Sequence, residues 1–273
     1  MFGEILGRVR SAHPLVHTIT NYVTANDCAN IVLACGASPI MADEAEEVQE
    51  ITSLCAGLSL NLGTLNKAKI PSFFLAGQEA NRRHIPVLLD PVGVGASHLR
   101  TETALRLLRE VRISVIRANA SEMKALALGS GSSGGVDAAA CDCVTEENLD
   151  RAVSFCKAFA QKSGAVVAMT GRIDIVTDGH STYCIRNGHA MMSLVTGCGC
   201  QLSALTAVFV AANPQAPLEA SAAAICAMGL AGEIAHARLS ELDGNAAYRG
   251  YIIDAICNLT PEQLEKGANY ELR

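Results

Sequence analysis

Tryptophan is absent from this chain, and aromatic residues make up only 4 % of it. Its interior must therefore be built from Ala, Leu, Val and Ile, the stock of tightly packed sheets and helices. An excess of positive charge is also missing: the formal net charge is −6, so no global basic field draws the chain to nucleic acid or anionic lipid, and a small-molecule ligand is the better default. The start, Met1-Phe2-Gly3-Glu4-Ile5-Leu6, lacks the basic leader, apolar stretch and cleavage site of a signal peptide. No uninterrupted apolar run reaches membrane-spanning length, and the expected location is cytoplasmic. No Pro/Gly/Ser linker divides the 273 residues and no repeat of fixed period occurs, so residues 1–273 are expected to form a single domain.

Cysteine is plentiful, with eleven residues, but the spacing that makes a zinc site specific is absent. Cys141-Asp142-Cys143 and Cys198-Gly199-Cys200 have neither the two-residue spacer nor a matched second pair. Free thiols in a reducing compartment are expected.

What is present is an alternation of apolar strands and amphipathic helices. Strand-like runs fall at 15–20, 58–64, 86–90, 114–119 and 165–171, with helical stretches between them, at 25–35, up to about Arg83, 101–110 and 145–162. A helix is also expected to begin near Asp43, and the residues 174–177 and 181–185 read as a hairpin extending the sheet's edge. The Gly/Ser/Ala-rich stretch Gly129–Cys143 reads as a surface loop. Repeated units of this length predict an α/β fold with a mainly parallel central sheet and helices on both faces.

Such sheets bind ligands beyond the carboxyl ends of their strands, a rule that selects Asn21, Gly63, Asp90, Asn119, Glu122 and Thr170. Opposite them in function stands Thr196-Gly197-Cys198-Gly199-Cys200, two glycines opening a long apolar helix. Glycine permits positive φ and close approach, and the free N–H groups of a helix start carry partial positive charge, so this turn can hold an anion. The Asn119–Glu122 pair has the oxygen donors that suit Mg²⁺, and it also has the spacing of a capping box. Asp90-Pro91 and Thr170-Gly171 can likewise serve as plain turns, Arg117 as a surface charge and Cys200 as an inert packed residue.

Taken together, Val16-His17-Thr18-Ile19-Thr20-Asn21, the segment Ala34–Ala42, Leu60–Leu65, Leu89–Ala96, Asn119–Glu122 and Val176–Gly179 resemble the hydroxyethylthiazole kinase family of the ribokinase-like superfamily. The resemblance runs along nearly the whole chain. It implies a three-layer α/β/α sandwich with an edge hairpin, and an ATP-dependent phosphorylation of 4-methyl-5-(2-hydroxyethyl)thiazole with Mg²⁺ in thiamin biosynthesis. On matching positions it implies Met41 and Gly197, with Asn21 and Gly63, around the thiazole; Arg117 and Thr170 on ATP; Asp90 and Glu122 on magnesium. It further implies a homotrimer with active sites between subunits.

In this scheme the N–H groups of Gly197, Cys198, Gly199 and Cys200 form an anion hole for the phosphoryl group in transit. Many superfamily relatives carry aspartate where Cys200 stands. A thiol at a helix N-terminus can have a lowered pKa, so Cys200 is expected to position the alcohol and is a candidate for accepting its proton. Two rival readings are a pyrimidine or sugar kinase on the same fold, and a nucleotide-binding regulatory or redox protein using Gly93-Val94-Gly95. The lack of a full G-x-G-x-x-G in the first strand–helix unit argues against the second.

Overall fold

Strands rich in Val, Leu, Ile and Ala have no face for water and are stable where both faces of a sheet are covered. The computed structural model describes residues 1–129 and 144–273 and arranges such strands as expected. The strands β1 (Leu15–Ile19), β2 (Ser38–Ile40), β3 (Gly57–Asn61), β4 (Val87–Asp90), β5 (Val115–Asn119) and β6 (Val166–Thr170) run parallel. The hairpin β7 (Asp174–Thr177) and β8 (Thr182–Ile185) follows antiparallel, then β9 (Tyr270–Leu272), giving the order β2-β1-β3-β4-β5-β6-β7-β8-β9.

Neighbouring residues of a strand point to opposite faces, and here they enter two separate cores. Leu88 of β4 joins a core with α1 (Phe2–Ala12), α2 (Ala25–Ala34), α8 (Cys198–Ala212), α9 (Pro217–Ala237) and α10 (Asn245–Asn258). Val87 and Leu89 join the other, under α4 (Ile70–Arg82), α5 (His98–Glu110), α6 (Ala120–Gly129) and α7 (Leu149–Ser163). The result is the expected three-layer α/β/α sandwich. Helix α9 is long and apolar enough to cross a membrane, but 78 % of its apolar window is buried within the protein. It packs against α8 and α10, which explains why it lacks a polar face.

Two expectations need correction. The hairpin is not the sheet's edge, because the last strand, β9, pairs outside β8 in a segment with no strand signature of its own. At the opposite edge the short Ser38–Ile40 forms β2 against β1. The helix expected from Asp43 begins at Val48 as α3 (Val48–Ser53), since Ala42 and Asp43 are held outside any helix by side chains described below. The loop expected over Gly129–Cys143, and with it Cys141-Asp142-Cys143, lies beyond Gly129 outside the described residues.

The packing of α8 against the sheet fixes the position of its first turn, so its core residues support the site from behind. Leu205 is completely buried in that core. Replacing it with Ala removes buried apolar volume and leaves a cavity, for an expected loss of about 2–5 kcal/mol of unfolding free energy in urea titration. A loss below about 1 kcal/mol would show that α8 is not held by this core.

Candidate active site

The strand ends deliver their polar residues to one edge of the sheet. Asn61, last in β3, donates from Nδ2 to Asp90 Oδ2 at 2.8 Å, and Asp90 is last in β4 beside it. Ser203 of α8 donates from Oγ to the same oxygen at 2.7 Å. Asn21, just past β1, donates to Asn61 Oδ1 at 3.1 Å. Both amides also reach the sulfur of Cys200, Asn21 Nδ2 and Asn61 Nδ2 each lying 3.3 Å from Sγ. Cys200 therefore sits over a continuous Asn21–Asn61–Asp90–Ser203 network.

The glycine turn has the geometry its sequence suggested. Gly197 is the N-cap of α8 with φ 86°, in the left-handed region open to glycine. A Cβ there would also stand 2.5 Å from Thr24 Cγ2, so the site demands glycine twice over. A Cβ on Gly199 would meet Arg117 Nη1 at 2.7 Å, which shows how closely the guanidinium lies against the helix start. The backbone bond from Gln201 N to Gly197 O closes the first turn at 2.8 Å. The amides of Gly199 and Cys200 precede that bond and have no backbone acceptor among the described residues.

Arg117 of β5 is anchored by Thr170 of β6, which accepts from Nη2 at 2.7 Å. Its Nη1 stands 3.7 Å from Asp90 Oδ1. That oxygen is fully buried and accepts no hydrogen bond, and Arg117 Nε, also buried, donates none. Removal from water pushes the Asp90 carboxyl up to about 6, against the pull of Arg117 and the hydrogen bonds from Ser203 and Asn61. A buried anionic oxygen without a donor is a place for a cation. Among the described residues no three His, Cys, Asp or Glu side chains gather as a metal cage. A single free carboxylate oxygen beside a phosphate site suits Mg²⁺, which keeps its waters and takes its remaining ligands from substrate phosphates.

Glu122 is already engaged. Its Oε2 accepts from Asn119 N at 3.0 Å while Asn119 Oδ1 accepts from Glu122 N at 2.9 Å, the reciprocal pair of a capping box. Its other oxygen accepts from Gly93 N at 2.9 Å, tying down the turn that follows Asp90. That turn is further held by Arg100, which donates to Val92 O, so Gly93-Val94-Gly95 has no free cradle for a dinucleotide. The glycine at position 63 makes room for its neighbour: a Cβ would lie 2.8 Å from Asn21 Nδ2.

A cleft of about 930 Å³ opens on the Arg117 side of the glycine turn. Arg117 and Thr170 line it near the turn, together with Gly197, Cys198 and Gly199, while Ile225 and Met228 of α9 give its far end an apolar wall. The cleft is large enough for a nucleotide. Cys200, Asn21 and Asn61 do not line this cleft; the Cys200 sulfur instead meets the two amides, so adjacent residues of one turn serve the cleft and the amide pair. Met41 is not joined to this cluster; it follows the edge strand β2, 39 % exposed.

The lowered pKa expected for Cys200 is overturned. Burial, reinforced by the nearby Asp90 carboxylate, raises the thiol above its ordinary value despite its amide donors. Cys198 is pushed up to about 11 by burial as well. Asn61 and Ser203 were missed in the sequence, though each left a trace. Asn61 is the polar residue inside Leu58–Leu62, and Ser203 lies one helical turn beyond Cys200.

Comparison with known proteins decides the family. The model of the hydroxyethylthiazole kinase family matches residues 6–262. A hydroxyethylthiazole kinase of Clostridium acetobutylicum is 56 % identical over 271 residues, covering 99 % of both chains. The chain belongs to the hydroxyethylthiazole kinase family. It is thus an enzyme, a kinase of thiamin biosynthesis that uses ATP. The solved structure of the hydroxyethylthiazole kinase protein of Pyrococcus horikoshii OT3 superimposes with a TM-score of 0.88 at 34 % identity, covering 100 % of this chain and 98 % of that one. A ribokinase-like superfamily protein of Enterococcus faecalis V583 shares the fold at a TM-score of 0.61 and 12 % identity, covering 97 % and 95 %. The family's fold is therefore the ribokinase-like sandwich that the sequence led us to expect.

Proposed function

We propose that the chain acts as one catalytic domain and transfers the γ-phosphoryl group of ATP directly to the hydroxyethyl oxygen of 4-methyl-5-(2-hydroxyethyl)thiazole. The observation that carries this reading is the helix start itself: Cys198 and Gly199 line the nucleotide-sized cleft, and Cys200 meets the Asn21–Asn61 pair outside that lining. A phosphoryl group crossing from one to the other passes the free amides of Gly199 and Cys200.

Arg117, held by Thr170, binds the phosphates from the cleft side, and the amides stabilise the equatorial oxygens as charge spreads over them. The alcohol oxygen bonds to phosphorus, the bond to the β–γ bridging oxygen breaks, and ADP leaves with that electron pair. Asp90, through its unpaired Oδ1, would hold Mg²⁺, with Glu122 fixing the adjoining turn. The cation would supply charge neutralisation on the phosphates. Cys200 orients the alcohol and stays a neutral thiol. The proton departs late, onto the transferred phosphoryl group, as a loose transition state allows.

Exposed apolar residues at Met41 (39 %), Tyr22 (80 %) and Val23 (56 %) support an acceptor side completed by another copy, as in a homotrimer. We read the enzyme as cytoplasmic, its buried thiols suiting a reducing compartment.

The test is ADP release by purified protein with Mg²⁺ and, separately, hydroxyethylthiazole, hydroxymethylpyrimidine, ribose or no acceptor. Turnover should require the thiazole; equal turnover without it would sink the assignment. Cys200→Ser should keep kcat within about tenfold, because a positioning residue contributes less than a general base, whose loss costs roughly 10²–10⁴. A fall of that larger size, recovered by Cys200→Asp, would make the residue a proton acceptor instead.

A further inference from the structure

The segment 41–43 presents Met41, yet the sheet gives it little support. Strand β2 pairs with β1 only as far as His17 opposite Ile40, so the ladder ends just before Met41. Side chains from other elements take over from there. The imidazole of His17, fully buried, lies 2.8 Å through Nε2 from Ala42 O and 2.8 Å through Nδ1 from Thr52 Oγ1. A carbonyl can only accept, so Nε2 carries the hydrogen and Nδ1 accepts from the threonine hydroxyl. Burial lowers the pKa of this ring, in keeping with the neutral tautomer.

Ser72 of α4, fully buried, donates from Oγ to Asp43 O at 2.7 Å. Lys69, the N-cap residue of α4, places Nζ 2.8 Å from Asp43 Oδ2 and donates to Thr20 O at 2.8 Å. Thr20 is the residue before Asn21, which carries one of the amides over Cys200. Lys69 thus ties the Met41 arm to the strand end that forms the acceptor side of the site. Only 9 % of Lys69 is exposed. A lysine that gives up most of its hydration at this point is held there by both partners.

We propose that His17, Lys69 and Ser72 are positioning residues for the acceptor, fixing residues 41–43 so that Met41 meets the thiazole ring at a set distance from Cys200. This rests on the reading of Met41 as a thiazole contact. A preformed arm spares the substrate the cost of ordering it, so its loss weakens acceptor binding without touching the phosphate machinery. Raised KM with unchanged kcat is the kinetic sign of such a loss.

The experiment compares Met41→Ala, Lys69→Met, Ser72→Ala and the double variant Met41→Ala/Lys69→Met. For each, KM is measured for hydroxyethylthiazole and for ATP, together with kcat and Tm. Lys69→Met should raise the acceptor KM by about tenfold while the ATP KM and kcat stay within about threefold, and Ser72→Ala should do the same to a smaller degree. In the Met41→Ala background the Lys69 effect should vanish, because its route to the substrate is gone. A merely structural role would lower Tm and leave that pattern absent. Should Met41→Ala raise the acceptor KM while Lys69→Met and Ser72→Ala do not, the positioning inference falls and the Met41 reading stands. Full additivity in the double variant would also overturn the inference. An unchanged acceptor KM in Met41→Ala itself would remove the Met41 reading and the inference with it. Ser72→Ala removes one hydrogen bond without stranding a charge, so it keeps the test open if Lys69→Met fails to fold.

Discussion

Asp90→Asn yields a folded enzyme whose kcat is lower by about 10²–10³ at saturating ATP and thiazole, comparable to removing one preorganised group that stabilises transition-state charge. The amide can keep the acceptor role toward Asn61 and Ser203, so the network that locates Asn21 and Cys200 survives. What it cannot keep is the anionic Oδ1. The carboxyl of the wild-type protein is pushed up to about 6 by burial, so below that pH it is protonated and neutral. The wild-type kcat/KM should accordingly fall on the acid side of about pH 6. Raising Mg²⁺ should move that limb to lower pH, because the cation competes with the proton for the same oxygen. The limb should be missing from Asp90→Asn.

Stability moves in the opposite sense. The folded-state pKa lies above the unfolded value, so the native protein holds the proton more tightly, and any stabilisation from that proton is lost as pH rises through about 6. Above that pH the folded protein carries a buried carboxylate at a cost, and Asp90→Asn should melt no lower than the wild type. Such a pairing of cost to the fold and benefit to the reaction is common at active sites. Steady-state rates together with thermal melts at pH 5 and pH 8 check both halves. Turnover within tenfold of wild type would remove Asp90 from the reaction.

Gly199→Ala should be nearly as damaging, and for a different reason. The added methyl would stand 2.7 Å from Arg117 Nη1 and 2.9 Å from Nη2, a contact that only displacement of the guanidinium can relieve. Arg117 would leave its place at the mouth of the cleft, and the loss should reach about 10² in kcat/KM for ATP, in line with a misplacement of about 1 Å at a phosphoryl-transfer site. Because Arg117 is a flexible side chain and α8 is anchored by its core, Tm should change little. Normal ATP kinetics in this variant would separate Arg117 from the nucleotide.

How far the sequence disclosed all this depends on the kind of signal each element carries. Buried parallel strands announce themselves through apolar-rich runs bounded by turn residues, which is why β3 to β6 were legible. The edges were not. Ser38–Ile40 is short and contains a proline, and the last strand is exposed on every residue, so neither has a hydrophobic pattern to read. In the site, the glycine turn and the strand-end residues Asn21, Asp90 and Thr170 followed from rules about where charge and conformation are needed. Asn61 and Ser203 escaped because polar residues inside apolar segments gain meaning only when the strand or helix carrying them is placed against a partner. The Cys200 thiol was misjudged for a related reason. A helix start favours the thiolate, but how deeply the sulfur is buried beside Asp90 is a tertiary fact.

The order of the sheet also bears on how the enzyme regains activity after denaturation. The network over Cys200 draws on the end of β1, on β3 and β4, and on α8, whose Ser203 lies 113 residues beyond Asp90, and Arg117 and Thr170 come from two further strands. No fragment shorter than Asn21 to Ser203 contains the whole network. Parallel pairing of distant segments is slow to form. Catalytic competence is therefore a late acquisition in refolding, and recovered turnover reports completion of the central sheet more faithfully than recovered helix content does.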